Sequence, residues 1–235
     1  MTTRVSFSII IPVLNEASIV NNTIRHIHEI APPDDFEIIV VDGDSGGSTV
    51  RCIGDEKVAK LTSPKGRGRQ MNKGASVATG DIFLFLHTDT ELPGEAFRKI
   101  AASVEAGGSA GAFDLGIKSE RRIFRLIEHM VDLRTRLARL PYGDQAIFVR
   151  RDVFEILGGY SEIPIMEDVE FMRRLKRSGY KIEILPEKVQ TSPRRWEEEG
   201  VLTCTLRNWT IMTLYLLGRS PEKLVRHYYP DWDGR

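Results

Sequence analysis

Along the first half of the chain, short apolar runs alternate with longer stretches whose apolar positions recur at helical spacing. Residues 5–13 (VSFSIIIPV) and 36–42 (FEIIVVD) are β-branched runs. Between them Ile19, Thr23, Ile27 and Ile30 fall at roughly helical intervals, which predicts strand, helix, strand. A third run at 57–61 (KVAKL) precedes a helical pattern over 67–80 closed by Gly80, and DIFLFLH (81–87) follows as a fourth strand. In the second half, 109–117 reads as a strand and 121–140 as a long amphipathic helix, while 143–160 reads as turn, strand, short helix and glycine stop. Another helix over 166–180, a last strand over 181–185 and a helical tail from Trp196 to Leu217 complete the pattern. Such alternation predicts an α/β fold, a Rossmann-like and mostly parallel sheet with helices on both faces and a helical C-terminal extension. No internal repeat, low-complexity segment or linker marks a domain boundary.

Composition narrows the function classes. A chain of 235 residues, 41% of them hydrophobic, can bury one sizeable core. Lys+Arg and Asp+Glu balance at 33 each, so global charge points neither to a nucleic-acid binder nor to a polybasic membrane anchor. Any anionic ligand must then be held locally. Cys52 and Cys204 lie far apart with no CxxC, which suggests neither a zinc cluster nor a disulfide framework. Reduced thiols in a cytoplasmic chain are the expectation, and the opening VSFSIIIPVLNEA turns polar too soon for a signal peptide. The apolar stretch 201–218 contains Arg207 and Asn208, which argues against a membrane span and leaves contact with a membrane surface open.

In open α/β sheets ligands gather beyond the carboxyl ends of strands. Polar residues stand at that place three times: Asn15 and Glu16 after the first strand, Asp42 and Asp44 after the second, His87 and Asp89 after the fourth. Turn and cap chemistry also favours these residue types. If 87–89 continues as a strand, His87 and Asp89 share a face, and a carboxylate beside an imidazole suits a divalent cation that takes its other ligands from phosphate and water. Asp42 could accept a hydrogen bond from a nucleobase or ribose. The segment SPKGRGRQMNKGA (63–75) brings Lys65, Arg67, Arg69 and Lys73 to a helix start, a phosphate-binding arrangement or a solvated basic turn. Glu167 and Asp168 fall at the start of a helix, as caps or as a general base with a partner.

Taken in order, IPVLNEA (11–17), VVDGDS (40–45), the arginine-rich helix ending in NKGA, FLHTDT (85–90), GGY (158–160), MED (166–168) and RRW (194–196) resemble the family-2 glycosyltransferases of the GT-A fold. FLHTDTELP and GRGRQMNKGA look most like small bacterial members. The resemblance implies an inverting, metal-assisted transferase that moves one sugar or a few from a nucleoside-diphosphate sugar, a UDP-sugar foremost, to an acceptor hydroxyl. It implies a nucleotide pocket at Pro12, Asn15, Glu16, Asp42, Arg67, Arg69 and Asn72. Asp89, with His87 where a first Asp is usual, would hold Mn²⁺ or Mg²⁺, and Asp168 would be the base with Glu167 beside it. Gly143, Asp144 and Gln145, with Arg195 and Trp196, would line the acceptor side. The donor-binding half would cover about 1–105 and the acceptor half 106–196, with a helical tail over 197–235. QTSPRRW has two residues more than the QxxRW of processive members, so processivity is not expected.

Two other readings stay open. A nucleotidyltransferase would carry a glycine-rich basic loop after its first strand, where this chain has PVLNEAS. A binding module with a decayed site would not need Asp89 together with the acid pair. The helix 121–140 carries Arg121, Arg122, Arg125, Arg134, Arg136 and Arg139 among apolar residues, which fits either an ordinary packed helix or one lying on a membrane. In the second case the acceptor could be lipid-linked; otherwise it is a small molecule.

Overall fold

A computed structural model describes residues 5–32 and 35–229. Its first layer of order is a sheet of eight strands: β1 (Phe7–Val13), β2 (Phe36–Asp42), β3 (Ala59–Thr62), β4 (Ile82–Phe85), β5 (Thr90–Glu91), β6 (Ala110–Ile117), β7 (Phe148–Arg150) and β8 (Ile182–Thr191). Their order is β3-β2-β1-β4-β7-β6-β8-β5. Pairings β3–β2, β2–β1, β1–β4 and β6–β8 are parallel, whereas β7 runs antiparallel to both β4 and β6, and β5 to β8.

The period-2 placement of side chains divides the core in two. Ile9, Ile11, Ile38, Val40, Ile82 and Leu84 point to one face, and Ile10, Ile39, Val41, Phe83 and Phe85 to the other. Strands buried on both sides need apolar residues at every position, which is why these runs show little polar alternation. Truncating one such side chain, Ile10→Ala for instance, costs about 2–5 kcal/mol. The first face is covered by α1 (Val20–Ile30), α3 (Ala96–Glu105) and α4 (Arg122–Ala138). The second carries α2 (Arg67–Ala75), α5 (Arg151–Ile156), α6 (Glu167–Arg177) and α9 (Pro221–Tyr228). Helix α7 (Arg194–Glu199) places Trp196 in the first layer, and α8 (Val201–Leu216) contributes Cys204 to the first and Ile211 and Met212 to the second.

Several expectations are corrected. The fourth strand ends at Phe85, and residues beyond it form a turn in which the Thr90 amide donates to the His87 carbonyl at 3.1 Å. Strand alternation therefore does not set the directions of His87 and Asp89. Elements β5 and α3 were not among those predicted. The last strand continues past Leu185 to Thr191, because a bulge opposite Phe113 and Asp114 takes up Pro186 and Glu187. The tail is three helices, and its residues 230–235 lie outside the described residues.

Helix α4 is pinned to β6 by charge as well as by apolar contact. Glu128, almost fully buried, accepts the Ile117 amide at 2.7 Å and pairs with Arg125 and Lys188; Asp132 accepts the Leu115 amide at 3.0 Å. No helix among the described residues is long and apolar enough to cross a membrane. Cys52 is exposed and Cys204 buried, both as free thiols.

Candidate active site

Beyond the carboxyl ends of β1, β2 and β3 lies a cleft of about 520 Å³ lined by Asn15, Asp44, Ser63 and Lys65. Two buried groups build its floor. Asp42 is 0% exposed, and its carboxylate accepts the amides of Asp44 at 3.0 Å, Thr49 at 2.7 Å and Val50 at 3.2 Å. Gln70 donates from Nε2 to the carbonyls of Val13 and Val41, both at 2.8 Å, closing the ends of β1 and β2 together. Asp42 thus shapes the loop that follows β2. Asp44 faces the cleft, its carboxylate held below the usual range by the amides of Gly46 and Ser48. Pro12, half-buried, lies in β1 one residue before its end; Asn15 is exposed in a left-handed turn (φ 59°).

Arg67, Asp89, Glu167, Asp168, Asp144 and His87 converge beside this cleft. Arg67 keeps solvent access while protein atoms crowd its guanidinium; burial opposes its charge, but Tyr229, Glu167, Asp168 and Asp89 outweigh that and hold it above its ordinary value. His87 is pushed down to about 4, first by desolvation and then by Arg67 and Arg195 against the attraction of Asp89, so its imidazole is neutral at physiological pH. Asp89 has one weak side-chain bond, from the Thr90 hydroxyl at 3.4 Å. Glu16 lies near enough for Asp89 and burial to raise its carboxyl, with Arg194 3.6 Å away.

The acid pair is placed by Met166, whose left-handed backbone (φ 70°) turns the chain into α6. Glu167 is buried and pushed up to about 7, by desolvation and then by Asp168. Asp168 is half-buried and also raised by desolvation; the Gly143 amide donates to its Oδ2 and the Val169 amide to its Oδ1, each at 2.7 Å. Gly143 touches two of these groups at once: a Cβ there would stand 3.0 Å from His87 Nε2 and 3.6 Å from Asp168 Oδ2.

Other expected ligands are engaged elsewhere. Asn72 spends both ends of its amide on Tyr160, donating to its carbonyl and accepting its amide at 2.8 Å each, which braces α2. Gly159 permits this, because its φ is 73° and a Cβ would fall 2.6 Å from Asn72 Oδ1. Gln145 is fully buried, accepting from Thr135 and the Tyr142 amide and donating to the Phe113 carbonyl, so it scaffolds the loop without lining a pocket. Arg69 is paired with Glu162 at 3.0 Å. Arg195 lies over the Tyr228 ring at 4.8 Å, and its charge reaches His87.

A second recess, about 30 Å³, lies between α4 and α8, with room for about two water-sized groups. Five buried polar atoms without partners belong to its lining: Arg134 Nε, Asp144 Oδ1, Trp196 Nε1, Thr205 Oγ1 and Asn208 Oδ1. Unmet donors and acceptors of this kind are costly unless water or a ligand group completes them. Trp196 also packs edge-on against Phe124 at 6.0 Å, and Arg134 stacks on Tyr142 at 3.9 Å. Asp144 is pushed up to about 6 by burial, with Arg134 opposing and Asp168 and Asp89 adding to the rise. Arg134, Tyr142, Thr205 and Asn208 are not among the site residues expected from sequence, where Arg134 looks like any other arginine of its helix.

Among the described residues no three or more His, Cys, Asp or Glu side chains form a metal cage. A hard cation that draws most of its ligands from a diphosphate needs only one or two protein donors. Asp89, nearly free of internal bonds, and His87 are the side chains that could serve as those donors.

The sequence profile of glycosyl transferase family 2 matches residues 8–159. A probable glycosyltransferase, YdaM of Bacillus subtilis (strain 168), is 24% identical over 218 residues, 82% of this chain and 50% of its own. A PGL/p-HBAD biosynthesis glycosyltransferase of Mycobacterium bovis (strain BCG / Pasteur 1173P2) is 29% identical over 163 residues, 66% of this chain and 63% of its own. The chain therefore spans between half and two thirds of these relatives. Among solved structures, the mannosyltransferase PcManGT from Pyrobaculum calidifontis in complex with GDP-Man and Mn²⁺ aligns with TM-score 0.67 at 20% identity, over 94% of this chain and 67% of the other. S. aureus TarS 1-349 in complex with UDP-GlcNAc aligns with TM-score 0.62 at 18% identity, over 80% and 58%. The fold is that of the GT-A glycosyltransferases.

Proposed function

We propose, from the premise that the chain belongs to glycosyl transferase family 2, that it moves a sugar from a nucleoside-diphosphate sugar to an acceptor hydroxyl by one inverting displacement, without processive polymerisation. The observation that carries this reading is the convergence of Arg67, Asp89 and the Glu167–Asp168 pair at one end of the sheet. It supplies a cation for a diphosphate, a carboxylate for a metal and a base for a hydroxyl.

The nucleoside would occupy the cleft of Asn15, Asp44 and Lys65, with Asp44 accepting from base or ribose. Arg67 meets the negative charge of the diphosphate. A divalent cation, Mn²⁺ or Mg²⁺, would be held by Asp89 with His87 and would neutralise charge on the leaving group. Burial raises both Glu167 and Asp168, and the amides of Gly143 and Val169 favour the pair's negative charge on Asp168. The amides of Gly143 and Val169 fix that carboxylate, which takes the acceptor proton as the new carbon–oxygen bond forms and the bond to the diphosphate oxygen breaks. The recess of Arg134, Asp144, Trp196, Thr205 and Asn208 supplies unmet donors and acceptors for the acceptor's hydroxyls.

The test is Asp168→Asn assayed with UDP- and GDP-sugars. Donor turnover should fall at least about 10²-fold, within the range of lost general-base catalysis, while affinity for the nucleoside diphosphate stays within about 3-fold, under 1 kcal/mol. Unimpaired turnover would remove Asp168 from the mechanism.

A further inference from the structure

We infer that the outward face of α4 and α8 docks on the surface of an anionic lipid bilayer. Helix α4 buries Phe124, Ile127, Glu128, Val131 and Thr135 toward the sheet. Its outer side carries Leu126, Leu133 and Leu137, the last 75% exposed, and three exposed arginines, Arg122, Arg125, which pairs with Glu128, and Arg136, which pairs with Asp114, with His129 as the other exposed residue. No acid is exposed along α4 among the described residues. Helix α8 continues the surface with Leu202 at 70%, Leu206 at 66%, Trp209 and Leu216, and its remaining exposed positions are threonines. Its single charged residue, Arg207, is paired with Glu199. The exposed acids Glu197 and Glu198 lie on α7, before α8 begins.

The arrangement around α4 gives the face its sense. At 100° per residue the leucine ridge lies between the arginine flank and the side turned to α8, because Ile127, Val131 and Arg134 line the recess shared with Thr205, Asn208 and Trp209. Leucines of both helices therefore form the middle of the surface, with arginines along one rim. That is how an interfacial helix distributes insertion into the acyl boundary and attraction to anionic head groups. Seven exposed large apolar side chains on two neighbouring helices, Leu126, Leu133, Leu137, Leu202, Leu206, Trp209 and Leu216, are the kind of clustering that marks a contact surface. A second copy of this chain fits it poorly. A two-fold contact would set the arginines of one α4 near those of the other, and the acids that Arg125 and Arg136 already hold, Glu128 and Asp114, are buried and cannot be shared across it.

Trp209 both lines the recess and reaches the surface, at 42% exposure. Resting on the transfer reading above, this makes the acceptor a hydroxyl carried at the bilayer surface.

Flotation with vesicles tests the docking without reference to turnover. The full chain should float with phosphatidylcholine:phosphatidylglycerol vesicles (70:30) in 0.1 M salt, and at least 10-fold less with phosphatidylcholine alone. The pairs Leu133→Glu/Leu137→Glu and Leu202→Glu/Leu206→Glu should each lower the bound fraction at least 10-fold, with melting temperature and Mn²⁺-dependent affinity for UDP or GDP unchanged. Those controls separate failure of docking from failure of the donor site. Wild-type chain left in the soluble fraction, or Glu variants that float equally well, would overturn the inference. So would a dimer mass in light scattering that the Leu→Glu pairs abolish, since the face would then belong to a second copy.

Discussion

Replacing Glu167 by Gln should stabilise the protein at alkaline pH and do little in acid. The carboxyl is buried, and desolvation together with Asp168 raises it from its ordinary 4.5 to about 7. The folded state thus holds a proton that the unfolded chain releases between pH 4.5 and 7, so stability falls as pH rises through that window. At pH 8 the whole penalty is present, on the order of 3 kcal/mol, and at pH 5 it is below about 1 kcal/mol. Glutamine fills the same space without the charge. For a chain of this size about 3 kcal/mol corresponds to a melting temperature higher by roughly 6–12 °C. Thermal unfolding of wild type and Glu167→Gln at pH 5 and pH 8 measures it directly. An equal gain at both pH values, or a loss at pH 8, would show that the side chain is not held protonated by its surroundings. A stability cost at this place is what a site poised for proton transfer would carry.

Asn72→Ala should lower stability by about 1–3 kcal/mol through two lost hydrogen bonds to Tyr160, yet leave nucleoside diphosphate affinity unchanged; a selective loss of affinity would return Asn72 to the nucleotide site. Asp89→Ala should abolish the Mn²⁺ dependence of that affinity in calorimetric titration, and an unaltered dependence would remove Asp89 from the metal site. Glu128→Leu, which leaves the buried Ile117 amide without its acceptor while Arg125 and Lys188 stay part-exposed and Lys188 keeps Asp132 at 3.3 Å, should destabilise by about 1–3 kcal/mol in denaturant unfolding, and no measurable change would mean the amide finds another acceptor.

The parallel core was legible because strands buried on both faces leave unbroken runs such as FSIIIPV and IFLF, and because acids beyond their ends stand out against them. Pro186 obscured the length of β8, since a proline reads as a strand end unless a bulge accommodates it. The polar residues divided less cleanly. Asp42, Asn72 and Gln145 have the chemistry of ligands, but Asp42 turns back on the amides of the loop that follows it, and Asn72 and Gln145 reach backbone groups at Tyr160 and Phe113 that are distant in sequence. Asp89, Glu167 and Asp168 do meet around Arg67. Arg134, which stacks on Tyr142 and faces Asp144, carried no local signal to set it apart from the other arginines of α4.

The central claim, a single displacement at the anomeric carbon, is tested most directly by proton NMR of donor hydrolysis, with water as acceptor. Using the α-linked donors GDP-mannose and UDP-GlcNAc with Mn²⁺, the account predicts that the β-anomer of the released sugar appears first and then mutarotates. First appearance of the α-anomer, or no release of sugar from any nucleotide donor, would contradict it.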